Sequence, residues 1–382
     1  MRQPEQALQE LEADGLLRGL RPLDSPAGPS VFRSGRELWN FASNDYLGLS
    51  LHHRIKDAFC EGIGRFGAGS TASRLVCGTQ PPHLLLEETL AAKKGTEAAL
   101  TFSSGYAAAL GTIPVIAGKD DFIILDKLSH ASLVDASRLS GATIRVFPHN
   151  DLGKLSRLLS SIRAKSPHSI ILVVTESIFS MDGDLCPLRE ILDLTEAHDA
   201  HLFLDEAHAI GVLGNQGMGL AEELNLQDRI AFQMGTLSKA VGLSGGYIAA
   251  KRAWVDLFIN RSRSFIYSTA PPPAVAHAAT TSLDLISSAE GEALRTKLFS
   301  NVQMLANHPS PVIPHVFGGN LEVLQAASTL ESLGFLVPAI RFPTVPRGTA
   351  RLRVSVSAAH TPTAVSALAG AISELANPVS RS

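Results

Sequence analysis

Several short stretches of this chain carry side chains suited to chemistry rather than to packing. Lys239 lies in GTLSKAVGLSGG (235–246), among small residues, with the hydroxyls of Thr236 and Ser238 beside it. Asp205 and His208 belong to Asp205-Glu206-Ala207-His208, where Asp205 ends the apolar run HLFLD. His130 follows Ser129 shortly after the run FIILD, and Ser103-Ser104-Gly105-Tyr106 follows AALTF. A lysine amine can form a Schiff base with an aldehyde cofactor, and a carboxylate can keep a pyridine nitrogen protonated. An imidazole can stack on the face of such a ring, and hydroxyls with backbone N–H groups at a helix start can hold a phosphate. Taken alone, each residue is ordinary, and Lys239 by itself reads as a surface lysine. The ordered set, each member at the end of a predicted strand, fits a pyridoxal 5'-phosphate site.

The positioning elements follow from the apolar runs AALTF (98–102), DFIILD (121–126), TIRVFP (143–148), SIILVVTES (169–177), HLFLDEA (201–207), IAFQMG (230–235) and GGYIAA (245–250). They are short and apolar on both faces, which predicts strands covered on two sides by helices in a largely parallel or mixed α/β sheet. In such sheets the ligand crevice lies beyond the carboxyl ends of the strands. Small or polar residues collect there: Ser103-Ser104-Gly105, Asp126, Glu176-Ser177 and the tetrad from Asp205. HLLLEETLAAKKG (83–95) reads as a helix stopped by Gly95, and residues 1–20 as a helix with Leu8, Leu11, Leu16 and Leu17 on one face. After about residue 270 the rhythm changes. PPPAVAHAATTSLDLI is helical, SPVIPHVFGG, GFLVPAIRFPTVPRG and ARLRVSVSAAH read as strands, and TPTAVSALAGAISELA is a closing helix. The expected organisation is an N-terminal helix and extended segment (1–45), a large α/β domain (46–280) and a small C-terminal α+β domain (281–382).

Composition narrows the class. At 382 residues, 45% hydrophobic and 18% charged, the chain is globular, and a net charge of −3 gives no pointer to nucleic acid. Cys60, Cys77 and Cys186 form no CxxC pair, so neither a disulfide framework nor a zinc site is expected. No run of 18 uncharged apolar residues predicts a membrane span, and MRQPEQALQELEADG has neither secretory nor transit character, so the expectation is cytoplasmic. Asp205-Glu206-Ala207-His208 also spells a tetrad of nucleic-acid-dependent ATPases. That reading requires an upstream GxxxxGK[ST] loop, which AGKDD (117–121) does not supply. His198, His201 and His208 lack HExxH spacing, so no metal is expected.

With these residues in view, the chain resembles the α-oxoamine synthase family of fold-type I pyridoxal-phosphate enzymes over nearly its full length. The resemblance is carried by Ser43-Asn44-Asp45-Tyr46-Leu47-Gly48-Leu49, Ser73-Arg74-Leu75, Ser103–Tyr106, Leu128-Ser129-His130-Ala131-Ser132, Thr175–Asp184, Asp205–His208, Gly235–Lys239 and Arg351-Leu352-Arg353. It implies an aspartate aminotransferase-like fold, with a large, mostly parallel seven-stranded sheet domain and a smaller C-terminal domain. By resemblance, Lys239 is the Schiff-base lysine and proton shuttle, Asp205 pairs with the pyridine nitrogen, His130 stacks on the ring, and His208 and Ser180 meet its phenolic edge. The phosphate falls to Ser104, Gly105, Tyr106 and Thr236, with Ser268 and Thr269 contributed across a homodimer. Asn44 and Arg353 orient the amino-acid carboxylate, and Arg18, with Arg21 as a rival, lies near the acyl-thioester entrance. The implied reaction joins L-alanine to pimeloyl-CoA or pimeloyl-ACP with loss of carbon dioxide. Siblings use glycine with acetyl-CoA or succinyl-CoA, or serine with palmitoyl-CoA. Thr71-Ala72, inside Gly67–Arg74, departs from the tighter glycine-serine run of many members and bears on the acyl side. A regulatory protein on the same fold would lack the lysine or the aspartate; both are present.

Overall fold

The computed structural model describes residues 3–376. The apolar runs form one seven-stranded sheet: β1 (Ala98–Phe102), β2 (Phe122–Asp126), β3 (Thr143–Phe147), β4 (Ile171–Glu176), β5 (His201–Asp205), β6 (Phe232–Thr236) and β7 (Gly246–Ala250). Their order is β1-β7-β6-β5-β4-β2-β3. From β6 across to β3 every neighbouring pair is parallel, while β7 runs antiparallel to both β1 and β6. Every residue of β1, β4, β6 and β7 is buried, which is why these strands are apolar without alternation. On one face, Phe102, Leu125, Val174, Phe203 and Phe232 pack with Ile113, Leu133 and Phe258 from helices Gly105–Ile116, Ala131–Ser140 and Arg252–Arg261. Each such side chain removed from water contributes about 1.5–3 kcal/mol. Helix Pro81–Lys94 packs against β1 and against helix Pro273–Ile286, and ends at Gly95 in the left-handed conformation (φ 66°, ψ 36°).

Contacts divide the chain into two compact units. The sheet belongs to Leu49–Ser180 with Asp184–Arg295; the other unit takes the described residues up to Gly48, Met181–Gly183, and those from Thr296 onward. The boundaries expected from the sequence fall at 45/46 and 280/281. The N-terminal segment groups with the C-terminal one because Ser30–Arg33 and Arg36–Asn40 form a hairpin whose second strand pairs in parallel with Phe335–Leu336. That hairpin turns at Ser34 and Gly35, both with positive φ (51° and 75°). A second sheet places Ala350–Ser355 between Val312–Gly318 and Ala339–Ile340, antiparallel to both. The strand character expected over 334–348 is therefore confined to two two-residue pieces in different sheets. The helix expected over 1–20 spans only Pro4–Ala13, because Gly15 (φ 64°) takes the chain out of helical geometry before Leu16. Among the described residues no helix is long and apolar enough to cross a membrane.

One polar cluster in the larger unit fixes loops beyond the strand ends. Buried Asp126, closing β2, accepts the N–H groups of Leu128 and Asn150. His149 bridges it to the loop before Cys186, with Nδ1 3.1 Å from Asp126 Oδ1 and Nε2 2.7 Å from Asp184 Oδ2. Burial disfavours charge on His149, but its hydrogen bonds and charge interactions with both carboxylates outweigh that and hold its pKa up to about 10. The folded pKa thus lies above the unfolded value near 6.5. The stabilisation is complete below about pH 6.5 and fades as pH rises through about 10. The ring is a quarter exposed, so solvent screening reduces the contribution to about 1–3 kcal/mol. Denaturation midpoints of the wild type and His149→Gln are expected to differ most near pH 6 and to converge by pH 10. A gap independent of pH would contradict this.

Candidate active site

Beyond the carboxyl ends of the parallel strands lies a cavity of about 200 Å³. Each wall comes from a different strand end. Ser104, Gly105 and Tyr106 follow β1, His130 and Ser132 follow β2, and Glu176 closes β4. Asp205, Ala207 and His208 come from the end of β5, and Met234, Thr236, Ser238 and Lys239 from β6 and its loop.

One end of the cavity is built for an anion. Helix Gly105–Ile116 starts there, capped by Ser104, whose side chain accepts the Ala107 N–H at 3.1 Å. The first helical N–H groups have no partner within a helix and carry the positive end of its dipole. Opposite them, Thr236 Oγ1 donates to Gly245 O at 2.8 Å and receives the Ser238 hydroxyl at 2.7 Å. A Cβ on Gly105 would stand 3.6 Å from Thr236 Cβ and 3.4 Å from Met234 Cε, filling the space between helix start and strand. A Cβ on Gly246 would meet the Gly105 nitrogen at 2.5 Å, so β7 must begin with glycine for the helix to start this close.

The other end suits a cationic ring nitrogen and a ring face. Asp205 is buried, and its Oδ1 accepts the Ala207 N–H at 2.8 Å. Burial pushes its carboxyl above the usual range, while the Lys239 charge and that N–H oppose the rise. His130 caps helix Ala131–Ser140, with its Nδ1 accepting the Ser132 N–H at 3.2 Å and lying 2.8 Å from Ser132 Oγ. That pairing puts the proton of the neutral imidazole on Nε2. Burial lowers the His130 pKa; the Asp205 charge opposes this and the Lys239 charge adds to it. His208 is buried in the same wall, and Lys239 is half-buried in the loop after β6.

The cavity thus brings together Ser104, Gly105, Tyr106, His130, Asp205, His208, Thr236 and Lys239, as the sequence reading required. Ser180 is buried, and its backbone N–H bonds the Glu176 carboxyl. Ser268 and Thr269 do not line the cavity. Thr269 is exposed and bridges Ser73. The second unit holds the remaining predicted residues. Buried Arg353 donates to Asn44 Oδ1 at 3.0 Å, to Ser355 Oγ at 2.8 Å and to Tyr46 Oη at 3.4 Å. Arg18 donates to Phe342 O and Thr344 Oγ1, while Arg21 pairs with Glu331. The sequence reading assigned no role to Glu176, Ser132 or Ser238. The available signal for Glu176 is its place at the end of the apolar run SIILVVTES.

A buried carboxylate, an imidazole face, an amine and a glycine-lined helix start match the ring nitrogen, ring, aldehyde and phosphate of pyridoxal 5'-phosphate, so the residues present fit that cofactor. Comparison with known proteins agrees. Residues 36–372 match the aminotransferase class I and II family. An 8-amino-7-oxononanoate synthase of Anaeromyxobacter sp. (strain K) is 46% identical over 364 residues, covering 92% of this chain and 90% of that protein. The Bordetella petrii protein of the same name is 44% identical over 97% of this chain and 96% of its own length. Among solved structures, a serine palmitoyltransferase from S. paucimobilis superposes with a TM-score of 0.92 at 29% identity, covering 98% of this chain and 97% of that one. The chain belongs to the aminotransferase class I and II family, and within it to the 8-amino-7-oxononanoate synthases, pyridoxal 5'-phosphate-dependent acyltransferases of biotin biosynthesis.

Proposed function

We propose that this chain condenses L-alanine with a pimeloyl thioester, of CoA or of acyl carrier protein, giving 8-amino-7-oxononanoate, carbon dioxide and the free thiol. The observation that carries the reading is the cavity in which Lys239, Asp205 and His130 converge beside the capped helix start. When bound, the cofactor supplies an electron sink for negative charge at the amino-acid α-carbon. The protein does the rest. Gly105 and Tyr106 N–H groups with Thr236 would hold the phosphate, Asp205 would pair with the ring nitrogen, and His130 would cover the ring. His208 and Ser180 would serve the phenolic edge. Lys239 Nζ takes the proton from the alanine α-carbon and later returns one to the product carbon. That carbon attacks the thioester carbonyl, the C–S bond breaks, and the thiolate leaves to be protonated. The alanine carboxylate then departs as carbon dioxide. Arg353, braced by Asn44, suits that carboxylate as a bidentate donor, and Arg18 is assigned to the acyl donor.

We assign the chain to a cytoplasmic homodimer. Leu75, Val76, Leu84, Leu85 and Tyr267 are large apolar side chains left about half or more exposed, and Tyr267 adjoins Ser268 and Thr269, which would serve the partner's site. The second reading, a serine palmitoyltransferase activity, draws on the TM-score of 0.92; the 46% identity to the oxononanoate enzymes outweighs it. One preparation tests both readings. The holoenzyme should sediment as a dimer, and its visible spectrum should respond more to L-alanine than to glycine or L-serine. Pimeloyl-CoA should then release carbon dioxide. A stronger response to serine, with turnover of palmitoyl-CoA, would replace the proposal with its sibling.

A further inference from the structure

Glu176 is the buried acid of the cavity that the proposed chemistry does not use. It ends β4 in direct register with Asp205 of β5, so two carboxyl groups stand side by side on adjacent strands. It is 2% exposed. Its Oε1 accepts the backbone N–H of His130 at 2.6 Å, and its carboxyl also takes the backbone N–H of Ser180. Those N–H groups belong to two separate loops, the one entering helix Ala131–Ser140 and the one leaving β4. Each loop carries a residue assigned to the cofactor ring.

We infer that Glu176 is a positioning residue: its carboxyl ties the His130 and Ser180 loops to the end of β4, setting the height and tilt of the His130 ring over the cavity. His130 is well placed to be governed this way. Its own side chain is committed to capping Ser132, so the backbone bond to Glu176 and that cap together fix the ring from both sides of its Cα. The inference rests on the reading of His130 as the residue covering the cofactor ring.

Burial, and then the neighbouring Asp205 charge, push Glu176 well above the ordinary carboxyl range; the His130 and Ser180 N–H groups and the Lys239 charge oppose this without reversing it. The Oε1 that accepts the His130 N–H can do so whether or not the second oxygen carries a proton. Glutamine presents the same acceptor on the same scaffold. Replacement by glutamine should therefore preserve the function, and replacement by alanine should not.

The experiment titrates cofactor-stripped protein with pyridoxal 5'-phosphate and follows fluorescence quenching, for the wild type, Glu176→Gln, Glu176→Ala, His130→Ala and the double variant Glu176→Ala/His130→Ala. Glu176→Gln is expected to bind within about twofold of the wild type. Glu176→Ala and His130→Ala should each weaken binding by about 10-fold or more, and the double variant should fall clearly short of the sum of the two losses, because the brace acts in large part through that ring. In the stripped protein, the ¹⁵N resonances of the His130 ring should shift in Glu176→Ala and stay in place in Glu176→Gln. Losses in the double variant that add, or a glutamine variant as weak as alanine, would overturn the inference. Unchanged binding by His130→Ala would instead remove the reading of His130 on which it stands. If Glu176→Ala does not fold, the glutamine variant alone still decides whether a charge is needed.

Discussion

Replacing Lys239 with alanine is expected to lower turnover by at least about 10⁴-fold while the protein still retains cofactor. The two effects separate because the groups that would hold the phosphate and ring lie elsewhere: the helix start at Gly105, Thr236, Asp205 and His130. Only the amine that moves the α-proton is lost. The absorbance near about 420 nm given by a lysine-bound cofactor should vanish, and a band of the unlinked form should replace it in stoichiometric amount. Lys239→Arg should be equally inactive, since a guanidinium stays protonated and cannot accept the proton. Turnover within tenfold of the wild type in either variant would remove Lys239 from the chemistry.

The second large effect is expected from Asp205→Asn. The asparagine carbonyl can still accept the Ala207 N–H, so the local turn survives and the charge alone is removed. Breaking a buried charge pair costs about 3–5 kcal/mol. That corresponds to a loss of roughly 10²–10⁴-fold in kcat/KM. Cofactor affinity should fall as well, because a ring-nitrogen cation loses its counter-charge. The same substitution has an effect next door: the Asp205 charge helps hold Glu176 above the carboxyl range, and without it Glu176 ionises more easily. Steady-state kinetics with equilibrium cofactor titration checks both losses. A variant with wild-type kcat/KM at saturating cofactor would contradict the assignment.

The sequence made the sheet legible because its strands are buried on both faces: AALTF is β1 to the residue, and HLFLD is β5. The same property hid the direction of each strand, since a run apolar on both sides carries no polarity. That β7 is antiparallel could be seen only in its pairing with β1 and β6. The site residues were legible as small and polar groups following those runs. Glu176 was visible as a strand end, but its task depends on two loops meeting one carboxyl, which spacing along the chain does not encode. The grouping of the N-terminal hairpin with Phe335–Leu336 is likewise a pairing between distant segments, and no local pattern in ELWNFASNDYLG announces it.

The position of β1 at the sheet edge has a consequence for biogenesis. Among the described residues its one neighbour in the sheet is β7, the last of the seven strands to be synthesised. Until β7 has emerged, the segment bearing Ser104 and Gly105 has no strand to lie against, and Thr236 has no Gly245 carbonyl to engage. Closing so long a loop is among the slowest events in making a sheet of this kind. A nascent chain stalled before Ala250 would therefore carry most of the ring-facing residues and no finished anion cradle. Cofactor capture thus reports completion of the sheet, and the apo chain spends its vulnerable interval with β1 as an unpaired edge.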